Sequence, residues 1–260
     1  MRILFIGDVI GQPGRDFLND RLMEIRRRRQ VQCVIANGEN AAGGNGLTLP
    51  VAQEMFAAGV DLITSGNHIW DKREILDFID REDRIVRPAN YPPGTPGRGS
   101  TWVTLGADGV QLAVINLAGR VFLQELDCPF RSLDQELAKI PDGVKTIIVD
   151  FHAEASSEKV AMGWYADGKV SAVLGTHTHV QTADERILPR GTAYISDVGM
   201  TGPINSVLGV RTDLILHRFL TQRPVKFDLA PGPVAMNAVL VDIEPSGRAR
   251  SIERVLIVGD

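Results

Sequence analysis

The hydrophobic residues of the first 80 positions form short runs that are separated by longer stretches with helical spacing. Apolar runs typical of buried strands lie at residues 3–6, 31–36 and 60–64. Apolar residues that recur every three to four positions predict helices at about 14–29, 49–58 and 72–80. Strand and helix alternate with the period of a βαβ unit, which is roughly 30 residues. We therefore expect parallel strands whose carboxyl ends meet at one edge of a sheet.

The rest of the chain has a different pattern. Residues 87–99 contain four prolines and three glycines and are predicted to form a long loop. Two pairs of strand patterns enclose short turn sequences and predict hairpins: 101–105 with 110–116 around Gly106-Ala-Asp-Gly109, and 235–243 with 249–258. Further strands are expected at 145–150, 171–174 and 192–196, with a helix near 157–167. No repeat or linker divides the sequence, which favours one domain over residues 1–260. The mixture of βαβ units and hairpins predicts an α/β fold of two mixed sheets packed face to face, with helices outside.

Composition narrows the class of protein. The chain has 260 residues, of which 44% are hydrophobic, but no run of about 18 apolar residues, so no membrane span is expected. The net charge of −4 argues against a broad surface for duplex nucleic acid. The one basic cluster, Arg26-Arg-Arg-Arg29, ends a predicted helix, where cations suit the helix dipole. A solvated helix end is the favoured interpretation of this cluster, and an RNA-contacting patch is the alternative.

The N-terminal segment and the cysteines indicate the compartment. Residues 1–8 contain a short apolar run followed by glycine and a charge, which is typical of a first strand and not of a signal peptide. Cys33 and Cys128 are expected to be reduced thiols. We therefore expect a cytoplasmic protein.

The segment Gly175-Thr-His177-Thr-His179-Val carries the strongest chemical signal. It follows an apolar run at 170–174 that is typical of a buried strand. Residues two apart in an extended chain point to the same side, so both imidazoles are expected to converge. Four of the five histidines follow strand-like runs in this way, namely His68, His152, His177 and His179. Since imidazole is the commonest metal ligand among side chains, the pattern predicts a catalytic metal site.

Other polar residues with ligand atoms also follow the predicted strands. The full set of candidate ligands is Asp8, Glu39, Asn40, Asn67, His68, His152, His177 and His179. Carboxylate, amide and imidazole together suit manganese, iron or zinc, and the lack of thiolates argues against a structural zinc site. The donors exceed the needs of one ion but suit two, which at about 3.5–4 Å apart would clamp a displacement at phosphorus.

Each residue taken alone also has a structural interpretation. A turn, a helix cap or a core position would explain Asp8, Glu39, Asn40, Asn67 or His152. Asp197 is interpreted as a structural turn residue, and His217, within a helical run, as structural. The joint order of the donors at strand ends is what favours the metal site.

The order of these motifs resembles that of the calcineurin-type metallophosphoesterases. More narrowly, the chain resembles their bacterial YmdB-type branch from residue 1 to about 210, and the C-terminal strands fit as well. The segments that carry the resemblance are Gly7-Asp-Val-Ile-Gly-Gln-Pro-Gly-Arg15, Asn37-Gly-Glu-Asn-Ala-Ala-Gly-Gly44, Gly66-Asn-His-Ile-Trp-Asp71, Asp150-Phe-His-Ala-Glu-Ala-Ser-Ser-Glu-Lys159 and Asp197-Val-Gly-Met-Thr-Gly-Pro203.

The resemblance implies a four-layer αββα sandwich and a two-metal phosphodiesterase that acts on 2′,3′-cyclic nucleotides. Matched motif by motif, the ligands of the first metal would be Asp8, Glu39, Asn40 and His179. The ligands of the second would be Glu39 as a bridge, Asn67, His152 and His177. His68 would be the general acid. The cofactors would be two divalent transition-metal ions, iron or manganese, with zinc as the alternative.

The sequence departs from the wider superfamily in two places. The usual Asp-x-His is Asp8-Val-Ile10 here, so one imidazole is lost, and the usual bridging aspartate is Glu39. Both departures fit the YmdB-type branch, in which Asn40 compensates. They leave the metal identity open, and the sequence also leaves open whether Asp71 orients His68.

The expected mechanism is attack of a metal-bound hydroxide on phosphorus, with His68 protonating the departing ribose oxygen to give a 3′-monophosphate. The partner would be a small-molecule phosphodiester, with weak base preference because only Tyr91 and Trp70 suggest an aromatic clamp. A homo-oligomer is compatible with these features. The alternatives are a phosphomonoesterase or nucleotidase on the same metal core, a metal-dependent amidohydrolase, and a metal-bearing regulatory protein without enzymatic activity.

Overall fold

The strands of this protein form two sheets that lie face to face in the computed structural model, which describes residues 1–105 and 109–259. In chain order the strands are β1 (Arg2–Ile6), β2 (Asp8–Val9), β3 (Cys33–Asn37), β4 (Leu62–Thr64), β5 (Ser100–Leu105), β6 (Val110–Ala118), β7 (Thr146–His152), β8 (Ala172–Thr176), β9 (Arg186–Ile187), β10 (Ala193–Ile195), β11 (Met200–Pro203), β12 (Val234–Ile243) and β13 (Ala249–Val258). The α-helices are α1 (Gly11–Arg28), α2 (Leu49–Ala58), α3 (Pro129–Leu137), α4 (Ser156–Ala166) and α5 (Thr212–Thr221).

Both sheets mix parallel and antiparallel pairing, as predicted. The first sheet has the order β2-β11-β12-β1-β3-β4, and β13 pairs with β12. In it β1, β3 and β4 are parallel neighbours, while β1 and β12 are antiparallel. The second sheet has the order β5-β6-β7-β8-β10-β9, with β6, β7, β8 and β10 parallel. Its antiparallel edge pairs are β5 with β6 and β9 with β10.

Alternation along the strands builds a four-layer sandwich. Ile3 and Phe5 of β1 face the second sheet and pack in a core shared with its strands, for example with Ile148. Leu4 and Ile6 point to the opposite side, because successive side chains of a strand alternate, and pack in the core that contains α1 and α2. A third core joins the outer face of the second sheet to α3 and α4, through residues such as Leu133 and Met162. The αββα arrangement that the sequence resemblance implies is therefore confirmed.

Most predicted elements are present, with shifted ends. The helix predicted at 49–58 is α2, which has proline in its first turn. It ends at Ala58 and is capped by Gly59, where a φ of 111° favours glycine. The prediction of an α-helix at 72–80 is wrong, because only a 3-10 helix at Arg73–Asp77 forms. Ile75 is the buried residue of this element, and its apolar contact does not offset the cost of nucleating an α-helix. The sequence patterns missed β2, β9 and β11, which have two to four residues each, and α3.

Both predicted hairpins are strand pairs in the structure. β5 and β6 pair antiparallel, although the turn predicted at 106–109 falls largely on residues 106–108, which lie outside the described residues. β12 and β13 also pair antiparallel along almost their full length. The loop predicted at 87–99 is irregular, as expected. The single domain stays a prediction.

The basic cluster at residues 26–29 lies at the end of α1, which is the structural interpretation that the sequence favoured. Arg26 ion-pairs with Asp61 at 3.0 Å and also donates to the carbonyl oxygens of Gly59 and Gln32. Arg28 and Arg29, both exposed, pair with nearby glutamates. Among the described residues, no helix is both long and apolar enough to cross a membrane.

The core between the sheets can be tested at Phe5, which is fully buried there. Phe5→Ala should lower the free energy of unfolding by about 3–5 kcal/mol, because it removes the buried ring and leaves a cavity. Denaturant titration followed by circular dichroism measures this. Phe219→Ala is the matched control, since Phe219 is 68% exposed on α5 and its truncation should change stability by no more than about 0.5 kcal/mol. Equal stability of the two variants would contradict the assignment of the core.

Candidate metal centre

The candidate ligands lie together at the carboxyl ends of strands from both sheets. Asp8 follows β1, Glu39 and Asn40 follow β3, and Asn67 follows β4, all in the first sheet. In the second sheet His152 ends β7, and His177 and His179 follow β8. The face-to-face packing of the sheets brings the two sets into contact.

One group of donors surrounds His152. Its Nε2 lies 2.9 Å from Asn67 Oδ1, 3.1 Å from Glu39 Oε1 and 3.0 Å from His177 Nδ1. His152 and Glu39 are buried, and His177 is nearly so, with 17% of its side chain exposed. Glu39, His152 and His177 have ligand atoms that all lie within 4.8 Å of one another, a spacing that a metal ion can bridge.

A second group surrounds Asn40. Its Nδ2 lies 3.4 Å from Asp8 Oδ1, 3.2 Å from Glu39 Oε1 and 3.3 Å from His179 Nε2. His179 Nε2 is 3.6 Å from Asp8 Oδ1. An amide nitrogen is not a metal ligand, so Asn40 would bind a cation only after its amide turns to present Oδ1. Glu39 contacts both groups and is the residue that joins them.

The donor set fits a cation. The His152 Nδ1–H donates to Thr176 Oγ1 at 2.9 Å, and the Thr176 hydroxyl donates to Asp150 Oδ1 at 2.7 Å. This chain of hydrogen bonds leaves the Nε2 lone pair of His152 facing a carboxylate oxygen, an amide oxygen and a second ring nitrogen. In the second group, the buried Nδ1 of His179 has no hydrogen-bond partner among the described residues.

The charges of the site also attract a cation. Burial raises the pKa values of the Asp8 and Glu39 carboxyls, but the neighbouring histidines outweigh burial and bring both pKa values below their usual range. Burial lowers the pKa of His152, whereas the charge of Glu39 raises it, to about 9 overall. A proton and a metal ion therefore compete for the same buried lone pair.

The backbone of the His-Thr-His segment differs from the prediction. The expectation of an extended pair is wrong, because β8 ends at Thr176 and His177 and His179 have φ values of 101° and 65°. Both lie in the left-handed region, which residues other than glycine rarely adopt and which is enriched at functional sites. The two imidazoles converge through this bend, each toward a different group of donors.

A buried ion pair holds the bend in place. Asp197 accepts hydrogen bonds from the Thr178 backbone N–H at 3.0 Å and the Thr178 hydroxyl at 2.7 Å. The ammonium group of Lys159, on α4, donates to the same carboxylate at 2.7 Å, and both side chains are buried. The structural interpretation of Asp197 is thus confirmed, although its role is to support the candidate ligands. The remaining histidine, His217, lies exposed on α5.

Two carboxylates contact histidines at the mouth of the site. Asp71 Oδ2 lies 2.8 Å from His68 Nδ1, so Asp71 is placed to orient His68, a point that the sequence left open. The same oxygen also accepts a hydrogen bond from Asn45 Nδ2 at 2.9 Å. Glu154 Oε2 lies 3.1 Å from His177 Nε2. Sequence reasoning missed Glu154. Its position two residues after His152 was the available signal, but carboxylates at such spacing are common.

Comparison with known proteins gives consistent matches along the whole chain. A family model described as YmdB-like protein matches residues 4–255. The chain is 53% identical to the 2′,3′-cyclic-nucleotide 2′-phosphodiesterase of Bacillus subtilis, over 100% of this chain and 98% of that protein. The crystal structure of a hypothetical protein from Thermus thermophilus superposes with a TM-score of 0.94 at 44% identity, covering 100% of both chains. That of a novel phosphatase from Mycoplasma pneumoniae gives 0.93 at 33% identity, covering 99% of this chain and 93% of the other.

The packing of the site can be tested without changing any donor. A Cβ at Gly66 would overlap both the His152 imidazole and the Glu39 carboxylate. Gly66→Ala should therefore displace these side chains and weaken metal affinity by about 10- to 100-fold, the usual effect of disturbing ligand orientation. Gly143→Ala is the control, because the nearest atom to its Cβ would be Gln111 Oε1 at 3.6 Å. Elemental analysis after dialysis against graded chelator compares them, and wild-type retention of metal in Gly66→Ala would contradict this account.

Proposed function

Because this chain belongs to the family of YmdB-like proteins, we propose that it is a metal-dependent phosphodiesterase that hydrolyses 2′,3′-cyclic nucleotides to 3′-monophosphates. The observation that carries the proposal is the pair of donor groups joined by the buried Glu39 carboxylate. The Bacillus subtilis relative, 53% identical over the full chain, is named for cleavage of the 2′ ester, and that cleavage leaves a 3′-phosphate.

The proposed metal ligands follow from the two groups of donors, one around Asn40 and one around His152. The first metal ion would be held by Asp8, Glu39, Asn40 and His179, and the second by Glu39, Asn67, His152 and His177. Their contacts within each group support this division. When bound, two such ions supply Lewis acidity at phosphorus and lower the pKa of water, which makes hydroxide available at neutral pH. The oxygen and imidazole donors without thiolate suit iron or manganese, with zinc as the alternative.

His68 is assigned the role of general acid. Its backbone N–H donates to Glu39 Oε2 at 3.0 Å, which holds the residue against the donor groups, while 41% of its side chain stays exposed toward the mouth. With Nδ1 paired to the Asp71 carboxylate at 2.8 Å, Nε2 is the ring nitrogen left to carry a proton toward the substrate. That proton is transferred to the ribose oxygen as its bond to phosphorus breaks.

The same donor groups would serve a phosphomonoesterase, and the related Mycoplasma pneumoniae protein is described as a phosphatase. A purely regulatory metal protein is disfavoured by the His68–Asp71 pair, because metal binding alone requires no supported acid at the mouth.

We place the protein in the cytoplasm, since Cys33 and Cys128 are free thiols.

Substrate preference tests the proposal directly. The metal-loaded protein should have a higher kcat/KM for 2′,3′-cAMP than for 3′,5′-cAMP or 5′-AMP, because the small cyclic ester is strained and needs a single proton donor for its leaving oxygen. Chromatographic analysis should identify 3′-AMP as the product. A preference for 5′-AMP would establish the phosphomonoesterase instead and would leave the metal assignment standing.

The division of roles at the site gives a second test. His68→Ala should retain the metal content of the wild type but lose about 10²–10⁴-fold in kcat for 2′,3′-cAMP, as expected for a missing general acid. The loss should shrink for a nitrophenyl diester, whose leaving group needs no proton. His152→Ala serves as the contrast, because it should lose metal. If His68→Ala also empties the site in elemental analysis, His68 is a ligand and the assignment is wrong.

A further inference from the structure

The loop that follows β6 carries an exposed aromatic side chain at the rim of the candidate metal centre. Ala118, the last residue of β6, pairs with His152, and the Gly119 N–H donates to the His152 carbonyl oxygen at 2.9 Å. Three residues later, Phe122 is 87% exposed. Three residues of chain span at most about 11 Å, which keeps Phe122 within that reach of the His152 backbone.

The backbone of this loop is held by a buried carboxylate. Glu158, on α4, accepts hydrogen bonds from the backbone N–H groups of Arg120 at 3.1 Å and Val121 at 3.3 Å. The Leu123 N–H donates to the Arg120 carbonyl oxygen at 3.3 Å and closes a turn. These hydrogen bonds hold the backbone on both sides of Phe122.

Phe122 is unfavourable in this position for two separate reasons. Its φ of 61° lies in the left-handed region, where glycine or asparagine is preferred and a bulky side chain is an outlier. Its ring is also left in water. Glycine would remove both penalties, and a bound molecule that covered the ring would remove the second.

The other aromatic side chains of this rim are already engaged. Trp70 and Tyr91 are partly buried and pack edge to face with their ring centroids 5.7 Å apart, and the Tyr91 hydroxyl donates to Gln124 of the same loop at 3.0 Å. Phe122 thus offers the free ring face beside the site. A purine or pyrimidine is the flat, uncharged group that a nucleotide would place there when its phosphate lies at the donors.

We propose that Phe122 is a specificity-determining residue that stacks on the base of the bound nucleotide. The inference rests on the proposed nucleotide substrate and adds the group that recognises the base. Because every base has a π-face, stacking of this kind binds nucleotides more tightly than diesters that lack a base and discriminates little among bases.

The test separates the ring from the conformation of the loop. Phe122→Asn removes the ring and keeps a residue that tolerates the left-handed backbone, whereas Phe122→Tyr keeps the ring. In the metal-loaded protein, Phe122→Asn should raise KM for 2′,3′-cAMP by roughly 5- to 150-fold, the usual range for loss of one base–aromatic stack. It should leave KM for ribose 2,3-cyclic phosphate unchanged, and Phe122→Tyr should match the wild type on both esters. Phe219→Asn, at another exposed phenylalanine on α5, should change neither value.

Binding measurements keep this test independent of turnover. Calorimetric titration with 3′-AMP and with ribose 3-phosphate should show that Phe122→Asn weakens only the nucleotide. Equal effects on both ligands would mean that Phe122 merely shapes the loop, and no effect on either would mean that it does not contact the base, so both outcomes overturn the inference. If the wild type fails to hydrolyse 2′,3′-cAMP, the proposed function fails, but the 3′-AMP titrations still decide the role of Phe122.

Discussion

The burial of the Glu39 carboxylate between the two sheets is the constraint on which the site depends. An ionised carboxylate taken out of water is costly unless positive charge or hydrogen-bond donors surround it. Here it has 1% exposure and meets the His152 imidazole on one oxygen and the His68 backbone N–H on the other. These two contacts stabilise the carboxylate, whereas the nearby Asp8 carboxylate repels it, and a divalent cation between the two acids would neutralise both charges.

The sandwich also stabilises a backbone that the sequence alone would disfavour. His177 and His179 both have positive φ, which costs of order 1–3 kcal/mol per residue. The strain is offset by the buried Lys159–Asp197 pair, whose carboxylate holds Thr178 from two directions. Breaking a buried pair of this kind typically costs about 3–5 kcal/mol. The bend is therefore supported by α4 and by the segment after β10, and the His177 backbone N–H also donates to Asp8 Oδ2 at 3.2 Å.

Sequence patterns predicted the fold and the proximity of the candidate ligands, but not the residues that support them. Asp8, Glu39 and His152 lie together as the order of donors at strand ends predicted, because parallel strands present their carboxyl ends at one edge. Elements of two to four residues such as β2 and β11 carry too few positions for a period to be detected, and the apolar spacing at 72–80 was too short to separate a 3-10 helix from an α-helix. The left-handed histidines were misjudged because tertiary hydrogen bonds, which no local pattern contains, decide their backbone.

The supporting residues explain why the matching motifs extend beyond the donors. Arg15, the last residue of the first motif, is buried and donates to the Ala41 carbonyl oxygen, and the Asn40 carbonyl oxygen accepts from the Gly11 N–H at 2.9 Å. The start of α1 thus fixes the loop that carries Glu39 and Asn40.

On the other sheet, Asp150 is buried beneath His152, and burial raises the pKa of its carboxyl to about 7. Through the Thr176 hydroxyl it sets which nitrogen of His152 keeps its proton, and the tautomer of a ligand is decided by such a partner. The donors determine where a cation can bind, whereas Asp150 and Thr176 determine which lone pair of His152 faces it.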